Sequence, residues 1–371
     1  MPGQTKRMEA LDGLRGLSAL TIFLYHTQLM PVLPGAFQGV AVFFVLSGFL
    51  ITTLLLQEQD RDGQINLLRF YWRRAVRLLP AAVFLFAVLF GVFWLLKFPP
   101  TVYGQVFLNG MDTNGLTVMA ARHFSSTLNF LVSDGSMPVT PLTHLWSLSI
   151  EQQFYFVWPI VLIGLLALRR TWIMVSLLVV ATLVSVLITL AYPASAPNYV
   201  AFSTHTQVFQ LFFGCLAAVL VHHAPRVRLP QWAVLLAFGA LVLHAFYLVP
   251  NLEADRTLVG VSATVLVLGC AQGSGIVPRL LSTPPLQYLG SRSYAFYLWH
   301  LSFVLWFNTL PVTNQIIAAF ISTLLMAEVS YRLVEMPAMA WAKRLTFSAA
   351  TPVFGLEVRP ERLPDGLPSA S

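Results

Sequence analysis

Residues 172–191 read WIMVSLLVVATLVSVLITLA, an uncharged and mostly apolar run that is long enough to cross a bilayer as one α-helix. Backbone polar groups need partners inside hydrocarbon, so such a run is expected to be helical. Similar runs occur on either side of it, at 14–33, 37–56, 78–97, 144–168, 204–222, 231–249, 256–272, 291–310 and 313–334. The sequence therefore predicts an all-α polytopic membrane protein, a bundle of about ten transmembrane helices.

The composition supports this prediction. Hydrophobic residues make up 57% of the chain and charged residues 10%, whereas soluble domains carry about 25% charged residues. The net charge of +7 does not indicate a nucleic-acid partner, because the basic residues lie in short segments between apolar runs. The two cysteines, Cys215 and Cys270, lie inside apolar runs, so neither a disulfide framework nor a metal site is predicted.

The basic residues also predict the orientation. If the N-terminus is cytoplasmic and the spans alternate, only Lys97, Arg122 and Arg256 of the 22 basic residues lie outside. The positive-inside rule then places both termini in the cytoplasm, in a multi-pass protein of the cell membrane. Residues 1–344 form one transmembrane domain, and the proline-containing segment 345–371 is expected to be a disordered cytoplasmic tail. Residues 98–143 form a long outer loop that we expect to help select a substrate.

Arg15 and His26 are the ionisable pair of the first run. Eleven residues are close to three helical turns, so both side chains share one face, ~16 Å apart along the axis. A long ligand would fit this face, with an anionic head at Arg15 and its reactive end near His26. The alternative is a snorkelling arginine and a packing histidine. Ionisable groups inside membranes are usually functional, which favours the first interpretation.

Arg73, Arg74 and Arg77 form a second basic group, in FYWRRAVRLLP at 70–80. A helix brings their guanidinium groups together, and arginine binds phosphate in a bidentate manner. On charge alone, a positive-inside anchor or a contact with lipid headgroups is the favoured interpretation.

Four further motifs carry polar side chains. His144, Ser147 and Glu151 share one helix face, and a carboxylate there must be paired, neutral or near water; a structural ion partner is the alternative. His300 lies within the ninth run, where a functional and a packing role are equally favoured. Arg332 and Glu335 are predicted to form a structural pair. The small residues Ser47 and Gly48 are predicted to serve helix packing.

Six motifs occur in one order along the chain: Arg15-x10-His26, FFVLSGFL at 43–50, YWRRAVRLLP at 71–80, HLWSLSIEQQFY at 144–155, SYAFYLWH at 293–300 and YRLVEMP at 331–337. Together they resemble the membrane acyltransferase-3 family, from about Leu11 to Pro337. The resemblance implies that 1–344 is an acyltransferase domain. Such a domain transfers an acyl group, commonly acetyl, from cytoplasmic acyl-CoA to a hydroxyl of a sugar-containing acceptor, either a cell-envelope glycan or a glycosylated metabolite. The sequence has no Walker motif and no zinc-ligand spacing, so neither ATP-driven chemistry nor a metal is predicted.

The resemblance also implies residue roles. His26 and Glu151 are the expected catalytic residues, and the expected coenzyme A ligands are Arg15, Arg73, Arg74 and Arg77. Further candidates are His144, Tyr155 and His300. The family often has two glutamates where this chain has Glu151 and Gln152, which argues against a required carboxylate pair. Some members carry a fused extracytoplasmic domain; the tail here is too short for one, so a partner transferase is expected to be a separate chain.

Two other classes of protein compete with this prediction. Buried arginine, histidine and glutamate also suit a proton-coupled transporter or exporter of a small or glycosylated molecule. The chain shows no internal repeat of the kind that marks many transporters. A membrane scaffold would not explain the charges on the first helix. The sequence names neither the acceptor nor the length of the acyl chain.

Overall fold

The computed structural model describes residues 2–96, 113–135, 140–192, 197–247 and 252–345, and these ranges contain helices and no β-strand. The α-helices, in chain order, are α1 (Pro2–His26), α2 (Gly39–Asp62), α3 (Leu67–Leu96), α4 (Thr113–Phe124), α5 (Leu128–Ser133), α6 (Trp146–Ala167), α7 (Thr171–Ala191), α8 (Pro197–Phe202), α9 (Thr204–His223), α10 (Gln231–Phe246), α11 (Leu252–Gln272), α12 (Ile276–Leu281), α13 (Pro284–Ser291), α14 (Ser293–Trp306), α15 (Val312–Ser330) and α16 (Met336–Leu345). Short 3-10 turns precede α2 at Ala36–Gln38 and α6 at Thr143–Leu145.

Six helical segments of the described ranges are long and apolar enough to cross a membrane: Ala36–Asp62, Leu67–Val92, Thr143–Ala167, Thr171–Ala191, Asn198–His223 and Val312–Arg344. Each lies on one of the ten predicted spans. The chain is therefore an all-helical membrane protein.

The other four predicted spans fall on helices that are shorter or less apolar. The first run was placed at 14–33, but α1 ends at His26, and residues 27–34 form turns that contain Pro31 and Pro34. Proline lacks the amide donor that a helix needs, which explains the early end. The runs at 231–249 and 256–272 correspond to α10 and α11, and the run at 291–310 to the 14 residues of α14.

Two segments between predicted spans are partly helical. Within 57–77, α2 continues to Asp62, Gly63 turns the chain with a φ of 72°, and α3 starts at Leu67. Within 98–143, helices α4 and α5 occupy part of the outer loop, while residues 98–112 and 136–139 lie outside the described residues. The predicted disorder of 346–371 also lies outside them and stays a prediction.

Helix α7 shows the inside-out pattern of a membrane protein. Its large apolar side chains, Trp172 and Leu187 among them, are exposed, whereas Thr182, Ser185 and Thr189 are buried. The buried hydroxyls donate to backbone carbonyls of their own helix or of α9. Small polar residues are typical of contacts between helices in membranes, so the buried face of α7 packs against other helices. The exposed apolar face suits contact with lipid.

Helices α2 and α9 cross at a pair of glycines. A β-carbon on Gly48 would lie 2.0 Å from the carbonyl oxygen of Leu211, and one on Gly214 would lie 2.1 Å from that of Val45. Glycine is required at both positions because the two backbones touch. The packing role predicted for Gly48 is seen here, and the crossing fixes the position of the neighbouring Ser47.

The predicted pair of Arg332 with Glu335 is wrong. Residues Tyr331–Glu335 form a π-helical turn between α15 and α16. The wider turn rotates the two side chains apart, so that Glu335 is buried and bonded to Ser330 while Arg332 is exposed and bonded to Glu328. Glu328 also pairs with Arg292, at 2.7 Å from its Nε.

Candidate active site

A cavity of about 150 Å³ lies where α1, α2, α3, α6 and α14 meet. One end is charged and is lined by Asp12, Arg15, Arg74 and Arg77. Its polar residues continue along α6 through Tyr155, Glu151 and Ser147, which span about 12 Å of that helix. Tyr297 of α14 lies at the Ser147 end. Apolar side chains line most of the remaining wall: Leu11, Val40, Phe43, Phe44, Leu46, Leu50, Ile51, Leu54, Leu78 and Leu148.

Three arginines give the charged end a positive excess. Arg15 donates from Nε to the Ser293 hydroxyl at 3.3 Å. The guanidinium of Arg74 lies 5.4 Å from the centre of the Tyr155 ring, a cation–π contact that holds it against the wall. Arg74 and Arg77 share a face because they are three residues apart. With Asp12 as the acidic residue at this end, the lining has the chemistry of an anion site.

Arg73 is separated from these three arginines. It is exposed and does not line the cavity. The charges that act on it most are those of Arg69 on its own helix and of Glu58 on α2. Successive residues of a helix point about 100° apart, and here Arg74 faces the cavity while Arg73 faces away from it. The structure therefore divides the sequence cluster into a cavity pair and an outer arginine.

Glu151 is held by two hydroxyl groups. Ser47 of α2 and Tyr155 of its own helix both donate to its Oε1 atom. The carboxylate is thus paired through hydrogen bonds and lines the cavity, which are two of the environments that the sequence allowed. Glu151 and His26 are not in contact. The structure pairs His26 with another histidine instead.

His26 and His300 lie side by side, with 5.1 Å between their ring centres. Nδ1 of His26 lies 2.9 Å from the carbonyl oxygen of Ile22 and 3.3 Å from Nε2 of His300. A carbonyl only accepts, so Nδ1 of His26 carries the proton. Nδ1 of His300 likewise donates to the Tyr297 carbonyl at 2.7 Å. The neutral His26 ring therefore keeps its lone pair on Nε2, as a general base requires.

His144 completes a group of three histidine rings. It is 3% exposed and lies edge-on to His300, with 4.7 Å between ring centres. Neither of its ring nitrogens has a hydrogen-bond partner in the described part of the chain. Its carbonyl accepts from the Tyr297 hydroxyl at 2.8 Å, and that hydroxyl lies 2.7 Å from Ser147. Tyr297 thus joins the end of the cavity to the histidine group.

Helix α14 connects both ends of the site, which sequence reasoning missed. Ser293 binds Arg15, Tyr297 lines the far end of the cavity, and His300 binds His26. These residues recur at i, i+4 and i+7, so the pattern of one polar face was present in SYAFYLWH. Because α1 supplies the partner at both ends, the two helices run side by side. Asp12 was the other residue that sequence reasoning left without a role.

The histidine group does not resemble a metal centre. Among the described residues, no group of three or more histidine, cysteine or acidic side chains is arranged to hold a metal ion. Cys215 and Cys270 are buried and unpaired with each other. The chemistry that these side chains offer is proton transfer next to an anion-binding cavity.

These features define a polytopic membrane protein with a buried basic cavity that leads towards a pair of hydrogen-bonded histidines. The family profile described as "Acyltransferase domain" matches residues 8–331. The chain belongs to this family, acyltransferase-3.

Its relatives carry related names. A Bacillus subtilis protein with the provisional name peptidoglycan O-acetyltransferase YrhL is 34% identical over 352 residues, covering 88% of this chain and 54% of the relative. O-acetyltransferase OatA of Staphylococcus aureus is 30% identical over 349 residues, covering 89% of this chain and 57% of OatA. The chain thus spans a little over half the length of these relatives. No solved structure matches the chain.

Proposed function

We propose that the chain is an O-acyltransferase of the cell membrane that moves an acyl group, acetyl in particular, from cytoplasmic acyl-CoA to a hydroxyl of a cell-envelope glycan. One observation carries the proposal: a cavity with three arginines at one end reaches Tyr297 at the other, one helical turn from His300 and its partner His26. The family and the names of its relatives support acyl transfer to a glycan.

The proposed topology has ten spans and two cytoplasmic termini. It rests on the distribution of basic residues, with 19 of the 22 on one side. In this orientation Arg15, Arg74 and Arg77 face the cytoplasm, where acyl-CoA is made, and His26 lies in the outer half of the membrane. The acceptor then approaches from outside, and any further transferase that carries the acyl group onward would act on that side too.

The donor would lie along the cavity. Its phosphates bind Arg15, Arg74 and Arg77, because guanidinium groups match phosphate oxygens and remain charged when buried. The pantetheine arm then follows α6 past Glu151, whose carboxylate accepts from an amide N–H of the arm. The ~16 Å rise of α1 between Arg15 and His26 sets the length of donor that fits. Tyr155 holds Glu151 and Arg74 in place.

His26 would act as the general base. Its Nε2 atom takes the proton of the acceptor hydroxyl while the hydroxyl oxygen bonds to the thioester carbonyl carbon. The carbon–sulfur bond then breaks, and the proton returns from Nε2 to the departing sulfur. The products are an acyl ester of the glycan and free coenzyme A. His300 serves as a positioning residue, since it accepts from Nδ1 of His26 and keeps the basic nitrogen on the other side of the ring.

The test is transfer by the purified full chain in lipid nanodiscs, with radiolabelled acetyl-CoA and chitotetraose, a chain of N-acetylglucosamine. Wild type should form an acetylated tetrasaccharide. His26→Ala should lose at least about 100-fold in rate, which is the lower contribution of a positioned general base, and still bind coenzyme A. Full transfer by a folded His26→Ala protein would refute the assignment. The matched control is His222→Ala, since His222 lies at the opposite end of the bundle beside Asp60.

A further inference from the structure

A second, smaller pocket lies on the other side of α2 from the arginine cavity. It encloses about 30 Å³ between the segment that follows α1 and the ends of α9, α10 and α11. We call it the amide pocket and define it by Gln38, Gln207, Gln210 and Arg256. All four side chains are at most 7% exposed. The proposed mechanism does not use any of them.

The hydrogen bonds of the pocket fix which way each amide points. Gln207 donates to the carbonyl of Val200 at 2.9 Å, so its oxygen accepts from Gln210 at 3.3 Å. Gln38 donates to the carbonyl of Leu241 at 2.6 Å. An amide nitrogen donates and an amide oxygen accepts. Each of these two sets of hydrogen bonds therefore ends in an amide oxygen to which nothing donates. The oxygens Oε1 of Gln38 and Oε1 of Gln210 are buried and have no partner among the described residues.

A buried acceptor without a partner costs free energy, so the pocket calls for a ligand that donates hydrogen bonds. An anion is excluded as the fit for these two oxygens, because it would only add acceptors. The guanidinium of Arg256, held by the Val200 carbonyl at 2.7 Å, supplies donors on the same pocket wall. A hydroxyl group can donate to the amide oxygens and accept from the guanidinium, so it suits both parts of the pocket wall.

The pocket is joined to the proposed reaction centre by aromatic rings. The Tyr25 ring lies edge-on to His26 at 5.1 Å and contacts the Phe37 ring at 5.7 Å. Phe37 lines the amide pocket and lies 5.8 Å below the guanidinium of Arg256. His26 thus has the amide pocket on one side and, through His300 and Tyr297, the donor cavity on the other.

We propose that the amide pocket binds sugar hydroxyls of the acceptor, an N-acetylhexosamine chain. The 30 Å³ admit one or two hydroxyl groups and not a whole ring, so the pocket grips one edge of a sugar while the rest of the chain extends past Phe37 and Tyr25 towards His26. This inference rests on the proposed function, because it assigns the acceptor side of the same reaction. It gives the outer end of α9 a role in choosing the acceptor.

The experiment measures chitotetraose binding to the full chain in nanodiscs by isothermal calorimetry, with coenzyme A affinity on the same samples as the test of folding. Gln210→Met and Gln38→Met each remove one unpartnered oxygen at similar volume, together with the bond that the amide nitrogen donates to Gln207 or to the Leu241 carbonyl. Each should weaken chitotetraose binding about five- to tenfold, the usual effect of one hydrogen bond, with coenzyme A affinity retained. Thr323→Val is the matched control, since it removes a buried hydroxyl without a partner on α15 and should leave both affinities unchanged.

Three results would overturn the inference. Unchanged chitotetraose affinity in both methionine variants would mean that the pocket holds only ordered water. A parallel loss of coenzyme A affinity would mean that these residues shape the fold. Absence of chitotetraose binding to wild type would exclude the proposed ligand. By contrast, wild type that binds chitotetraose through Gln210 and Gln38 but never releases acetyl from acetyl-CoA would refute the proposed donor and leave the acceptor site standing.

Discussion

Substitution of Gly214 by alanine tests whether the α2–α9 crossing supports the site. The new β-carbon would lie 2.1 Å from the Val45 carbonyl oxygen and 2.6 Å from the Phe49 amide. This falls short of the 3.4 Å of ordinary contact by about 1.3 Å, and both near atoms are backbone, so the helices must move apart. Val45 and Phe49 flank Ser47, which donates to Glu151. The displacement therefore reaches the wall of the donor cavity.

Overpacking of this kind costs about 1–3 kcal/mol in stability, and a misplacement of about 1 Å at a reacting group costs up to about 100-fold in rate. Gly214→Ala should therefore lower both the melting temperature and the acetyl transfer rate in nanodiscs. Gly164→Ala is the matched control, because nothing lies within 4 Å of its β-carbon. Alanine is favoured over glycine in helices by about 1 kcal/mol, so this variant should be unimpaired. Equal activity and melting of the two variants would refute the tight crossing.

Three further perturbations follow from the site. Arg77→Ala should weaken coenzyme A binding by about 10- to 100-fold, the range for a charge-assisted bond. Arg73→Ala should leave coenzyme A affinity unchanged. Equal effects of the two substitutions in calorimetry would mean that both arginines only anchor the protein at the membrane surface. His300→Phe should lower kcat about five- to tenfold by removing the acceptor for His26 Nδ1. His300→Gln keeps an acceptor oxygen and should retain a higher kcat than His300→Phe. Equal kcat values of the two variants would contradict the hydrogen bond between His26 and His300. Cys215 and Cys270 are fully buried and should resist a maleimide in nanodiscs until detergent unfolds the chain; rapid labelling of the native protein would show that the packing is wrong.

Hydropathy predicted the elements better than their ends. The six segments able to cross a membrane were predicted because lipid leaves the backbone no alternative to a helix. The end of α1 at His26 was missed, although Pro31 and Pro34 follow it closely. A window of twenty residues averages over such local breaks. The helical parts of the outer loop were missed because α4, with 12 residues, and α5, with 6, are too short to stand out.

The candidate site was predicted as sets of residues on single helices, and its contacts between helices were not. Helical spacing placed Arg74 beside Arg77, and it also grouped Arg73 with them, although Arg73 does not line the cavity. The bond between His26 and His300 joins positions 274 residues apart. No local pattern specifies such a contact, because it depends on how whole helices pack. The roles of the individual residues stay predictions until the variants are measured.

The two bonds between α1 and α14 have a consequence for synthesis. Arg15 and His26 are synthesised well before their partners Ser293 and His300, which lie 278 and 274 residues further along the chain. A nascent protein therefore carries a helix α1 whose Arg15 and His26 both still lack their partners on α14. The proposed base remains unoriented until α14 inserts, so a chain that has not yet inserted α14 should not consume acyl-CoA. Insertion of α14 would then complete the proposed site in one step.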